Sequence, residues 1–122
     1  MADLGEQLNN VLNEYRTDVI GAVDRASDRC AEGVNAEIKA HITFNGKKYI
    51  RAFKLAKEKG VNHSKRTWYV KAPYYRLTHL LENGHATVNG GRTKAYPHIQ
   101  YGEKFAQDNY ENMLKEEIEN VK

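Results

Sequence analysis

From Leu4 to Ile38 apolar side chains recur at spacings of three and four: Leu4, Leu8, Val11, Leu12, Tyr15, Val19, Val23, Ala26, Cys30, Val34 and Ile38. That period predicts one amphipathic helix, and Asp3 with Glu6 three residues on forms a capping-box-like start. At 1.5 Å per residue a helix of about 35 residues is roughly 50 Å long, more than the diameter of a domain built from 122 residues. Part of it must therefore project, bend or pack on another chain. Gly21 and Gly33 are the expected bend points, because glycine weakens a helix interior. The second half of the stripe reads as ordinary core; the first half, with Leu8 and Leu12, reads as an intermolecular contact.

After Lys39 the periodicity fades, and Asn45-Gly46 signals a turn. Residues 49–57 are read as a strand, with a short helix as the competing reading because their alternation is imperfect. A turn is expected over residues 59–64. Residues 65–71, rich in aromatic and branched side chains and stopped by Pro73, make the clearest strand and pair antiparallel with the first. Trp68 is expected where sheet and helix meet, with its ring N–H bonded or at the rim.

The stretch 76–99 packs several backbone requirements together. Residues 76–83 read as a short helix, and Gly84 stands where a left-handed C-cap residue belongs. Asn89-Gly90-Gly91 predicts a turn with positive backbone angles, flanked by residues 86–88 and 92–95 as a second small hairpin. Tyr96-Pro97-His98 opens a last helix, since proline is tolerated in a first turn. That helix carries Ile99, Phe105, Ala106, Tyr110, Met113, Leu114, Ile118 and Val121 on one side. The expected fold is α+β in one domain spanning residues 1–122. It has a long N-terminal amphipathic helix, a small, mostly antiparallel sheet with an inserted short helix, and a C-terminal amphipathic helix.

Charge is segregated along the chain. Residues 1–38 carry three basic against eight acidic side chains, whereas residues 39–71 carry ten basic against Glu58 alone. The C-terminal helix is acidic again. Such a chain attracts nucleic acid, a copy of itself, or an acidic protein surface. The basic block, Lys47, Lys48, Arg51, Lys54, Lys57, Lys65, Arg66 and Lys71 beside Tyr49, Trp68 and Tyr69, fits either partner. It fits equally a solvated sheet face whose lysines deter edge pairing. A mean hydropathy of −0.79 and the absence of a long apolar run exclude a membrane span, and no signal peptide is expected from MADLGEQLNN. The lone Cys30, on the apolar side of the first helix, is expected to be a buried, inert thiol.

Catalytic patterns are scarce. The sequence has no Gly-x-Ser-x-Gly elbow and no phosphate loop of the Gly-x4-Gly-Lys type. His79, Glu82 and His85 form the densest set of potential metal ligands and define a weak alternative, a metal-dependent hydrolase; helix-end polar contacts account for them as well. No metal, cofactor or catalytic residue is assigned.

The ordered set Leu80-Leu81-Glu82-x-Gly84-His85, then Asn89-Gly90-Gly91-Arg92, then Pro97-His98-Ile99 resembles the tail-completion or head-to-tail joining family of long-tailed bacteriophages. The resemblance runs over most of the chain and favours a strand at residues 49–57. It implies a non-enzymatic structural protein of a phage or prophage, which joins as a ring, a hexamer, between the tail tube or its terminator protein and the head connector. Such a protein acts in the virion neck or tail and is found in the host cytoplasm during assembly, where contact with DNA is a further option. Gly46, Gly84, Gly90, Gly91 and Pro97 then serve as turn and cap residues. Leu8, Leu12, Lys47, Lys48, Arg51, Lys54, Arg66, His85, Arg92 and His98 form the candidate assembly interface. The alternative function is a nucleic-acid-binding protein using the basic strands between residues 47 and 71.

Overall fold

The computed structural model describes residues 3–60 and 63–121. Helix α1 runs unbroken over Leu4–Ala40. Its start differs in detail from expectation: Asp3 is the N-cap, but its side chain caps nothing, and only its carbonyl is used, by the Gln7 N–H at 3.0 Å. The helix continues through Gly21 and Gly33, so neither interrupts it. Gly33 is instead a notch for the Phe105 ring, which occupies the space a β-carbon would need.

The partner in that notch is α4, Ile99–Glu119, which packs antiparallel along the second half of α1. Contacts run in opposite order along the two helices: Ile38 meets Gly102, Gly33 meets Phe105, Ser27 meets Tyr110 and Arg25 meets Glu117. Small residues make the approach close. A β-carbon on Gly102 would lie 2.6 Å from Ile38 Cγ1, and Ala22, Ala26, Ser27, Cys30 and Ala31 are all buried on α1.

Residues 49–57 do not form one strand. Helix α2, Lys47–Arg51, comes first, and β1 begins only at Phe53, running to Lys59. The competing helix reading wins at its start because Tyr49, Ala52 and Phe53 are all buried, and a helical turn directs positions three and four apart to one side. Gly46 is the N-cap of α2 at a negative φ of −123°. Strand β2, Ser64–Val70, pairs antiparallel with β1, Phe53 opposite Val70 and Lys59 opposite Ser64. Within the expected turn, the Gly60 N–H donates to the His63 carbonyl at 2.9 Å; residues 61 and 62 lie outside those described.

A cis Ala72–Pro73 bond leads into a 3-10 turn, Tyr74–Leu77, and helix α3, Thr78–Asn83. Gly84 has the positive φ expected of it, 69°, but with ψ 176° it is extended rather than left-handed helical. The second hairpin does not develop: Ala86 and Arg92 share a single antiparallel bridge, and of the two turn glycines only Gly90 has a positive φ, 85°. Ala86, Thr87 and Val88 before the turn and Arg92 after it are exposed, so no apolar face drives a ladder. Pro97 stands before α4, whose N-cap is His98, and so is not in its first turn.

The observed architecture is thus α+β, with a two-stranded sheet laid along the second half of α1. Its core gathers Ile38, Tyr49, Ala52, Phe53 and Val70, backed by Phe44, Trp68 and Leu81. Trp68 is half-buried, packs edge-on against Phe53 at 4.7 Å between centroids, and donates its ring N–H to Asn35 Oδ1 at 3.0 Å. Among the described residues no helix is long and apolar enough to cross a membrane.

Candidate assembly surfaces

The charge segregation seen in the sequence is partly spent inside the fold. On α1, Asp24 and Asp28 face the hairpin, and the Arg66 guanidinium spans them, donating to Asp24 Oδ1 at 2.6 Å and to Asp28 Oδ1 at 2.7 Å. Lys57 lies 3.5 Å from both carboxylates, and the Ser64 hydroxyl donates to Asp24 at 2.9 Å. The Arg66 and Ser64 hydrogen bonds, with Lys57 and Lys59 nearby, hold the Asp24 carboxyl far below the usual carboxylate range. Arg66, its side chain only 8% exposed, is therefore a clamp between sheet and helix and leaves the candidate interface. On the same stretch of α1, Arg25 and Arg29 hold Glu117, and Arg29 also reaches Glu116, tying α4 to α1.

His98 also leaves the interface, being fully buried. Its Nε2 lies 2.8 Å from the Tyr49 hydroxyl, and its Nδ1 lies 2.7 Å from the Tyr96 carbonyl and 3.1 Å from Glu82 Oε1. The Glu82 carboxylate in turn accepts the backbone N–H groups of His98, Ile99 and Gln100 at 2.9 to 3.1 Å. It closes the N-terminus of α4 from another helix. Burial works to raise the Glu82 pKa, but the three backbone donors and His98 outweigh it and hold the carboxyl below its ordinary value. Burial pushes the Tyr49 hydroxyl up, and Glu82 adds to that, against a 3.5 Å hydrogen bond to Thr78.

The three residues of the hydrolase alternative do not converge on one point. Glu82 is committed to α4, the His85 Nδ1 lies 3.0 Å from the Thr93 hydroxyl, and His79 is exposed on α3. Among the described residues no three His, Cys, Asp or Glu side chains gather as metal ligands. Cys30 is buried, and burial raises its thiol pKa, which keeps it protonated and unreactive.

Two surfaces of the described residues expose apolar or basic side chains. The first is the leading half of α1, where Leu4, Leu8, Val11, Leu12 and Tyr15 are between 55% and 78% exposed. Every described residue from Asp3 to Asp18 is exposed, so this half projects from the domain as a bare arm. The second is a basic, partly apolar face around α2. One cleft of about 460 Å³ is lined by Phe44, Lys47, Lys48, Tyr74, Leu77 and Leu81. A second, of about 290 Å³, shares Lys48 and Tyr74 and adds Arg51 and Lys71. Lys54 projects from the solvent side of the sheet, opposite Tyr69. His85 and Arg92 are exposed beside the short bridge, away from α2 in sequence. A separate apolar recess of about 310 Å³, with Cys30, Val34, Leu55, Trp68 and Tyr110 among its walls, lies between α1, the hairpin and α4.

The structure thus brings Lys47, Lys48 and Arg51 together on one helix and leaves Leu8 and Leu12 exposed. Lys71 and Tyr74 join the basic face by tertiary folding alone. The Tyr49–His98–Glu82 chain has no local sequence signal, its members lying 49 and 16 positions apart. No family model matches this chain, and no curated protein or solved structure matches it either.

Proposed function

We propose that this chain is a structural subunit of the neck or tail of a long-tailed phage, a tail-completion or head-to-tail joining protein that binds as a ring between tail tube and head connector. Its chemistry is binding alone. The motifs in residues 80–99 support the family reading, and one structural observation supports the assembly role: about four turns of α1 carry an apolar stripe that no other described part of the subunit covers. A stripe of that kind lowers its free energy only against another molecule. Particles produced without this protein test the reading. Filled heads and separate tails are expected; normal joined virions refute it.

The cluster of Lys48, Arg51 and Lys71 favours a second reading, a nucleic-acid-binding protein. A salt titration decides it. Micromolar affinity for duplex or single strands that falls steeply with salt supports this alternative, and no binding at low salt removes it.

A further inference from the structure

We propose that the projecting half of α1 in one copy docks in the basic cleft beside α2 of the next, so that the chain joins to itself head to tail. The inference rests on the reading of the chain as an assembling subunit and names both halves of its contact. The arm cannot serve its own cleft: it is continuous with the packed segment from Ala22 to Ile38, and Leu8 stands roughly 20 Å along the axis from Ala22.

Charge selects the occupant. Residues 3–18 carry Asp3, Glu6, Glu14 and Asp18 against Arg16, so two arms laid together would juxtapose like charges. The face around the cleft has the opposite sign: Lys47 and Lys48 line the cleft itself, and Arg51 and Lys71 line the smaller one that adjoins it at Lys48 and Tyr74. None of the four makes an ion pair among the described residues, unlike Lys57 and Arg66, which α1 neutralises within the subunit. Apolar character matches too. Leu77 is 42% exposed at the cleft, beside Leu81 and Tyr74, where Leu8 and Leu12 of an amphipathic helix can be covered. A nucleic acid would satisfy the lysines but leave the arm bare. The apolar recess near Trp68 is a poorer host: of its two basic lining residues Arg66 is already paired, which leaves Lys65 where the face around α2 offers four.

Arm and cleft are different surfaces, so the contact is heterologous. Each copy that gives an arm still offers a cleft, and growth continues until the rotation closes a ring or a filament forms. One helix in one groove falls at the small end of interface sizes, below about 1,200 Å² in total, so free subunits should associate only when concentrated.

Complementary half-contacts test the proposal. Sedimentation velocity at about 1 mM protein and low salt should show wild type associating reversibly, and less so as salt rises. An arm variant, Leu8→Ser with Leu12→Ser, and a cleft variant, Lys48→Glu with Arg51→Glu, should each be monomeric alone. Mixed one to one, they should form a heterodimer and nothing larger, because only one intact arm and one intact cleft remain per pair. Each variant must keep the wild-type melting curve; Lys71→Glu replaces Arg51→Glu if α2 loosens. A monomeric wild type overturns the proposal, and so does a mixture that stays monomeric. A cleft variant that associates like wild type shows arm packing on arm, and a wild type that binds duplex DNA through Lys48 and Arg51 without self-associating shows a nucleic-acid face; either overturns it. Joined virions formed without the protein would refute the neck assignment while leaving this self-association untouched, so the two failures are distinguishable.

Discussion

Glu82 Oε1 accepts the backbone N–H of His98 at 2.9 Å while lying 3.1 Å from that residue's own Nδ1. One carboxylate on a six-residue helix thus supplies the cap that the 21-residue α4 does not make with its own side chains. With Leu81 packed on the core, this contact fixes the entry of α4 and through it the long pairing with α1.

Loss of that carboxylate should be costly. Glu82→Ala leaves three N–H groups, two of them partly buried, without their acceptor and should destabilise the fold by about 2 kcal/mol, measured by urea unfolding. The pH dependence has a definite sign. The folded-state pKa of Glu82 is depressed below its ordinary 4.5, so its contribution is complete above that value and is lost as pH falls through the folded value. Asp24 and Glu117 are depressed as well and add to the acid sensitivity of the wild type. The difference between wild type and Glu82→Gln isolates the one group: it should be constant near neutrality and shrink as pH falls below about 5. A difference independent of pH over that range contradicts the assignment.

Gly84→Val should destabilise the fold by about 2 kcal/mol or more, since a branched residue is strained at positive φ. Space adds to strain there, because a β-carbon would lie 2.6 Å from the Thr93 carbonyl oxygen, a backbone atom that cannot swing aside. Unchanged thermal melting would show that the loop re-forms around the side chain.

What was legible in the sequence was what local periodicity and steric rules control. The stripe from Leu4 to Ile38, the β2 strand and the α4 stripe each carry a period that survives folding. The mismatch between helix length and domain size already implied a bare end, and Leu4 to Tyr15 provide it. Gly84 was legible because few residues other than glycine accept its φ. The failures are tertiary. Residues 47–51 coil because Tyr49 is drawn to His98, and nothing near residue 49 encodes that partner. Asn89-Gly90-Gly91 makes a turn, but a turn without an apolar face on its flanks does not become a hairpin. Arg66 reads as one more basic residue until Asp24 and Asp28, one helical turn apart, are seen to face it.

The helical glycines should respond oppositely to alanine. At Gly21 a β-carbon meets only Arg25 Nη1 at 3.3 Å, the end of a flexible side chain, so Gly21→Ala should gain up to about 1 kcal/mol from helix propensity. At Gly102 it meets Ile38 Cγ1 at 2.6 Å and Val34 Cγ1 at 3.0 Å, and Ile38 is fully buried with no room to move. Overpacking of that kind typically costs about 1–3 kcal/mol, which exceeds the propensity gain, so Gly102→Ala should lower stability. Equal stabilisation by both substitutions in denaturant titrations would show that α1 and α4 separate more readily than their packing suggests.

The arm itself should be the least protected helix in the free subunit. A helix of about 15 residues without tertiary contacts is marginal in water, because each ordered residue costs about 1–2 kcal/mol of conformational entropy and no buried apolar area offsets it. Residues 4–18 have no such burial, and Asp3 makes no side-chain cap bond to steady the first turn. From Ala22 onward α1 is covered by α4 and the sheet, so opening there requires parting of the helices. Amide exchange on the dilute monomer should therefore be fast through residues 4–14 and slow from about residue 22 to residue 38. Leu8→Ser with Leu12→Ser should leave monomer stability within about 1 kcal/mol, since both side chains are already in water. Concentrating the wild type should protect the arm in step with association, and the double variant should show no such change. Strong protection of residues 4–14 in the dilute monomer would mean that this end is already packed, and its role in assembly would have to be dropped.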